Sequence, residues 1–213
     1  MSRAWSTGLV RYLALGDSIS IDLYTGVEGG GAASQLSRLL KANEFENSTY
    51  DGATTEGVLE RDFRQRSVAK AEVVTVTIGG NDLLGGAFGR TVGDRAQGQQ
   101  VLKQLLENLD HIGELTAKVS PRVVWNTIYD PTDGDDAHAA ELGLSLEIRP
   151  VLKLVNAHLA AVAKRHGFLL CDLEALFHGH GFWSKDSWMV MHIEPNLAGA
   201  TAIAKAWHSL LSR

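Results

Sequence analysis

Val73-Val74-Thr75-Val76-Thr77-Ile78-Gly79-Gly80-Asn81-Asp82 sets the pattern for the whole chain. Six apolar or β-branched residues in a row have the length and composition of a strand buried on both faces. The run stops at two glycines and two polar residues, a turn signal. Four more runs follow the same rule, at 10–15, 46–50, 123–128 and 168–171. The run at 46–50 is weak and is placed mainly by its position in the alternation.

Helical patterns lie between these runs. Leu36, Leu39 and Leu40 mark the first, and Val58 and Phe63 a second, with Thr54 or Thr55 as its cap. Val101, Leu105, Leu109 and Ile112 mark a third, and Ile148, Leu152, Val155, Leu159 and Val162 a fourth. Leu197, Ala200, Ala204, Trp207 and Leu211 mark the last. Each set puts one apolar stripe on its helix. A regular βαβα alternation implies a parallel sheet covered on both faces. The expected fold is therefore a three-layer α/β/α domain over residues 1–213, with a five-stranded flavodoxin-like sheet in the order 2-1-3-4-5. Long loops are expected at 79–95 and 129–144.

Composition narrows the function. The chain has 213 residues, enough for one well-buried core without disulfides. Twenty basic against 25 acidic residues leave a net charge of −5, which builds no broad electropositive face for nucleic acid. Cys171 is the single cysteine, so no internal disulfide framework exists. No apolar run approaches 18 residues, and polar residues interrupt the first fifteen, so no membrane insertion and a cytoplasmic location are expected.

Ligands of open parallel sheets sit at the carboxyl ends of the strands. There the sequence places Gly16-Asp17-Ser18, Asp51-Gly52-Ala53-Thr54-Thr55, Gly79-Gly80-Asn81-Asp82, Tyr129-Asp130-Pro131-Thr132-Asp133-Gly134 and Asp172. A serine, a glycine N–H and an asparagine amide converging on one edge have the layout of a nucleophile with an oxyanion hole. Each motif alone also reads as an ordinary turn or cap; their order at successive strand ends is what argues for a site.

These blocks resemble the SGNH (GDSL) hydrolase superfamily. Leu15-Gly16-Asp17-Ser18-Ile19 resembles its first block, Gly52 occupies the oxyanion glycine position of the second, and Asn81 the side-chain donor position of the third. The resemblance implies esterases, lipases, thioesterases and carbohydrate deacetylases that need no metal or cofactor. The fourth block departs from it. The family pattern is Asp-x-x-His-Pro-Asn-x-x-Gly, whereas this chain reads Met191-His192-Ile193-Glu194-Pro195-Asn196-Leu197-Ala198-Gly199, which puts Glu194 in the histidine slot.

Three residues compete for the proton-accepting role. If 191–194 is extended, His192 and Glu194 point to the same side, and His192 is favoured as the base. Glu194, beside a helix N-terminus, is expected to have a lowered pKa and to cap, orient His192 or touch substrate. His180, in Gly179-His180-Gly181, is the third. Asp172 and Asp186 are the alternatives for an orienting acid, with a helix cap the equally good reading of Asp172. Phe182, Trp183 and Trp188 are expected either to wall a pocket or to pack a long loop.

Other motifs have plainer readings. Gly29-Gly30-Gly31 lacks the Walker lysine and reads as a flexible approach to a helix. The aspartates at 130–136 miss the EF-hand spacing and read as a solvated turn. Cys171 reads as a buried apolar residue. The functional expectation is a serine ester hydrolase, of acylesterase or carbohydrate deacetylase type, acting through an acyl-enzyme on Ser18 upon a small-molecule ester. A weakly active or inactive small-ligand or sugar-binding protein, and an acyltransferase, are the alternatives.

Overall fold

The computed structural model describes residues 9–87, 95–144 and 148–213. In chain order the elements are β1 (Arg11–Gly16), α1 (Ala32–Leu40), β2 (Glu44–Thr49), α2 (Thr55–Val58), β3 (Val73–Thr77) and α3 (Gly80–Asp82). They continue with α4 (Arg95–Val119), β4 (Val123–Asn126), α5 (Asp136–Glu141), α6 (Ile148–His166), β5 (Leu169–Cys171) and α7 (Leu173–Phe177). A hairpin of β6 (Met189–Val190) and β7 (Glu194–Pro195) then leads into α8 (Leu197–Leu211). β1 to β5 form one parallel sheet in the order β2-β1-β3-β4-β5, as the alternation predicts.

Period-two alternation in β1 splits the core. Leu13 and Leu15 join Val74, Val76 and Trp125 under α4 and α6, which contribute Leu105, Leu109, Val155 and Leu159. Tyr12 and Ala14 face the other layer with Val73 and Val124, under Leu36 of α1 and Ile203 and Trp207 of α8. Trp207 is fully buried, and its indole N–H donates to Asn126 Oδ1 at 2.7 Å, while the Asn126 amide donates to the Val76 carbonyl at 2.8 Å. One polar side chain thus ties β3, β4 and α8 together and leaves no buried donor idle at that point.

Several local expectations shift. β2 is an edge strand whose residues are mostly exposed or half-buried, which is why its apolar signal is weak. Leu39 and Leu197, counted in helical stripes, are exposed. Thr54 caps α2 by accepting the Gly57 N–H, and α2 runs on as a π-helical segment over Leu59–Gln65. The loop expected at 79–95 begins with α3 and a π-turn over Leu83–Ala87, and residues 88–94 lie outside the described residues. α5 interrupts the loop expected at 129–144. The glycine run before α1 is no open anion cradle, because the Asp22 carboxylate already accepts the Gly29 and Gly31 N–H groups at 3.0 and 2.8 Å.

Gly16 positions everything after β1. Its φ is +122°, and an added Cβ would fall 1.8 Å from the Thr77 carbonyl oxygen. The close approach lets the Asp17 N–H donate to that oxygen at 2.8 Å. Gly16→Ala combines backbone strain with a clash against main chain, so it is expected to lower the urea-unfolding free energy by about 3 kcal/mol or more, or to prevent folding. A loss well below that would contradict this account of the turn.

Candidate active site

The loops after β1, β2 and β3 are stapled to one another. The Asn81 amide donates to the Ala53 carbonyl at 2.9 Å. The Asp82 carboxylate accepts the Thr55 hydroxyl at 2.6 Å and the Thr55 N–H at 3.0 Å. Asn108 of α4 donates to the same Thr55 hydroxyl at 3.0 Å. Gly52 sits at φ +71° in the 50–53 turn, a conformation that favours glycine, and is exposed. Ser18 is buried and lines a cavity of about 90 Å³ together with Asn81, Thr77 and Glu194. Gly52 does not line that cavity.

Ser18 Oγ donates a hydrogen bond to Glu194 Oε1 at 3.0 Å, across 176 residues of sequence. Glu194 reaches it through local features that the fourth block encodes. Met191 and His192 have φ of +51° and +73°, so residues 191–193 form the tight turn of the β6–β7 hairpin. The Tyr129 hydroxyl fixes that turn by donating to the Ile193 carbonyl at 2.5 Å. Asn196 caps α8, accepting the Ala198 and Gly199 N–H groups at 2.9 and 3.1 Å, and its amide holds the Ser187 carbonyl at 2.9 Å. A Cβ on Gly199 would lie 2.5 Å from the Trp188 carbonyl oxygen, so the glycine lets α8 pack against the hairpin. Pro195, Asn196 and Gly199 therefore keep the architecture of the block, and Glu194 occupies the slot where the family pattern has histidine.

The extended reading of 191–194 is corrected by this turn. His192 is exposed, with its ring centred 4.5 Å from Phe182 and 6.1 Å from Trp183, and it is not at the serine. His180 is not there either. Its ring stacks on Trp188 at 3.7 Å, and its Nδ1 lies 2.9 Å from the Asp186 carbonyl oxygen and 3.4 Å from the Asp186 carboxylate. Asp186 is thereby assigned to His180, away from Ser18. Asp172 caps α7 through the Ala175 N–H at 3.1 Å and accepts the Thr127 hydroxyl at 3.0 Å, its plainer reading. Phe182, Trp183 and Trp188 pack loops and do not line the cavity. Asp133 explains the loop chemistry around them, accepting the Gly179 and Gly181 N–H groups and the Ser184 hydroxyl at 2.9, 2.9 and 2.7 Å. Burial pushes the Cys171 thiol up to about 12, so it is no nucleophile.

The site is acidic at its polar end. Glu194 is 6% exposed, and its Oε2 is buried with no hydrogen bond from the described residues. Burial raises its pKa above the ordinary carboxylate value, the Ser18 hydroxyl pulls it partly back, and the Asp51 charge raises it further. That reverses the expectation of a lowered pKa. A carboxylate that sequence reasoning did not single out lies next to it. Asp17 is 4% exposed, and burial pushes it up to about 7, against the Thr77 hydroxyl and the Ile19 N–H and with repulsion from Glu194 and Asp82. Its place beside Ser18 in the first block was the available signal. Away from Ser18 the wall is largely apolar, with Ile78, Leu83, Leu84, Ile128 and Ile148, and carries Asp130, Thr132 and Arg149 as well.

The GDSL-like lipase/acylhydrolase family profile matches residues 14–202. The chain belongs to this family. No curated protein sequence matches it. Among solved structures it is similar to LAE5, an alpha/beta hydrolase enzyme from the metagenome of Lake Arreo, Spain, at 22% identity and TM-score 0.68, covering 95% of this chain and 94% of that one. It is similar to phospholipase A1 from Streptomyces albidoflavus NA297 at 21% identity and TM-score 0.65, over 95% and 99% of the two chains. It is also similar to Axe2, an acetylxylan esterase from Geobacillus stearothermophilus, at 17% identity and TM-score 0.71, over 96% and 94%. At these identities the likeness is one of fold. Among the described residues of this GDSL-family chain, no helix is long and apolar enough to cross a membrane.

The Asp17 environment carries a sign that stability measurements read. Its folded pKa of about 7 lies above the ordinary 3.8, so the folded state binds the extra proton between those values. Unfolding free energy should therefore fall as pH rises from about 4 through 7. Asp17→Asn, which resembles the protonated acid, should flatten that fall and exceed wild type in stability at pH 8. Urea denaturation across this range checks it, and an unchanged slope would contradict the assigned burial.

Proposed function

We propose that this chain is a serine ester hydrolase in which Ser18 is the nucleophile and Glu194 the general base. The observation that carries the reading is the Ser18 hydroxyl donating to the buried Glu194 carboxylate at 3.0 Å. A nucleophile within hydrogen-bond reach of a base is the basic requirement of acyl transfer. A carboxylate with a raised pKa is a better base near neutral pH than an ordinary one.

Ser18 Oγ attacks the ester carbonyl carbon while its proton passes to Glu194 Oε1. The carbonyl electron pair moves onto oxygen, where the Ser18 and Gly52 N–H groups and the second N–H of the Asn81 amide receive it. As the carbonyl re-forms, the bond to the alcohol oxygen breaks and Glu194 returns the proton to that oxygen. Water then attacks acyl-Ser18, giving its proton to Glu194, which hands it back to the departing Ser18 oxygen. The apolar cavity beside Ser18 receives the acyl group. Neither His192 nor His180 takes part.

Hydrolysis of p-nitrophenyl butyrate by wild type and four variants tests the reading. Ser18→Ala should abolish turnover, and Glu194→Gln should lower kcat by about 10²–10⁴. His192→Ala and His180→Ala should stay near wild type. Wild-type kcat/KM should rise with pH through one ionisation above the ordinary glutamate range. Activity that survives Ser18→Ala, or that disappears in His180→Ala, would refute the assignment. Absence of turnover across many esters would favour a small-ligand-binding protein on the same scaffold.

A further inference from the structure

The cavity beside Ser18 ends on an ion pair. Ser18 follows β1, whereas residues 127–132 follow β4, two strands away in the sheet, about 10 Å at ~4.8 Å per strand. Between these ends the wall is apolar. At the β4 end stands Arg149, which is held on three sides. Its Nε donates to Asp130 Oδ2 at 3.2 Å, one terminal nitrogen donates to the Thr132 hydroxyl at 3.3 Å, and the other pairs with Asp136. Asp130 is itself fixed by the Thr132 N–H at 2.8 Å and the Thr132 hydroxyl at 2.6 Å. A second cavity, of about 200 Å³, borders the same group: Asp130, Arg149 and Leu152 line both. That second space carries more charged and polar side chains, with Lys153, Glu174 and His178 on its wall.

We infer that Arg149, braced by Asp130 and Thr132, is the end wall of the acyl pocket and sets the chain length the enzyme accepts. The inference rests on the proposed ester hydrolysis and adds its substrate class: esters of short, uncharged, linear acids. A volume of about 90 Å³ holds about three methylene-sized groups at ~30 Å³ each, so an acyl chain of roughly four carbons, its carbonyl at Ser18, fills it. Each added methylene gains about fourfold from burial until the chain meets the guanidinium. A longer chain must then pull Arg149 from its partners or place methylenes against a charge. Without the guanidinium the two cavities join.

A p-nitrophenyl ester series from acetyl to dodecanoyl tests this. Wild-type kcat/KM should climb about fourfold per methylene to a maximum at roughly four carbons and then fall. In Arg149→Ala the ratio of decanoyl to butyryl kcat/KM should rise roughly tenfold or more, and Leu152→Ala, from the same shared wall, should move it in the same direction. An unchanged ratio in both variants overturns the end wall and leaves hydrolysis untouched. The same comparison without turnover uses calorimetric binding of 2-alkanones, which are neutral and are not cleaved. Wild-type affinity should stop rising at roughly five carbons, and Arg149→Ala should carry the rise to about ten. Identical series in the two proteins overturn the inference. If wild type cleaves no ester but the alkanone series shifts as stated, the hydrolase reading fails and the end wall stands.

Discussion

Everything at the carboxyl edge of the sheet depends on how closely the chain passes over Thr77 as it leaves β1. Only hydrogen fits at Gly16, since a Cβ there would sit 1.8 Å from a carbonyl oxygen. That approach buries Asp17, turns the chain into the short helical turn at Ser18–Ser20, and leaves the Ser18 hydroxyl at the mouth of an apolar cavity. The partner loops are then fixed by hydrogen bonds between backbone and side chain, with Asn81 on Ala53 and Asp82 on Thr55. The site is thus rigid because the ends of three neighbouring strands are tied into one unit, a form of preorganisation that catalysis exploits.

The second constraint is electrostatic. Asp17, Asp82 and Glu194 are all raised above ordinary carboxylate values, with burial the largest cause in each case. Glu194, whose Oε2 accepts no hydrogen bond from the described residues, is held there at a cost in stability. Groups with shifted pKa values of this kind cluster at functional sites. A glutamate where the family pattern has histidine is therefore compatible with the proposed mechanism: burial that would impair an imidazolium makes a carboxylate a stronger base.

Much of this was legible in the sequence. The five strands follow from short apolar runs because both faces of a parallel sheet are buried, and only the edge strand, with Ser48 as its one buried residue, left a faint trace. Ser18, Gly52 and Asn81 stand out in sequence because strand ends and turn residues carry strong signals. The choice between His192 and Glu194 is misread from sequence, for two reasons. Met191 and His192 adopt positive φ without being glycine or asparagine, so nothing in their identity announced the turn that points His192 outward. The direction of the Glu194 shift depends on burial and on Asp51, neither visible from a helix-end argument alone. The cavity beside Ser18 was also hidden, because its wall is assembled from six separate segments. The aromatic residues at 182, 183 and 188, the obvious sequence candidates for that wall, pack elsewhere.

The central claim is that Ser18 is made nucleophilic by Glu194. The most direct measurement is the second-order rate of covalent labelling by an alkyl p-nitrophenyl phosphonate, with the modified peptide located by mass spectrometry, in wild type and in Glu194→Gln. The account predicts a single label on Ser18 and a rate about 10²–10⁴ lower in the variant. Equal labelling rates in the two proteins, or a label on any other residue, would contradict it.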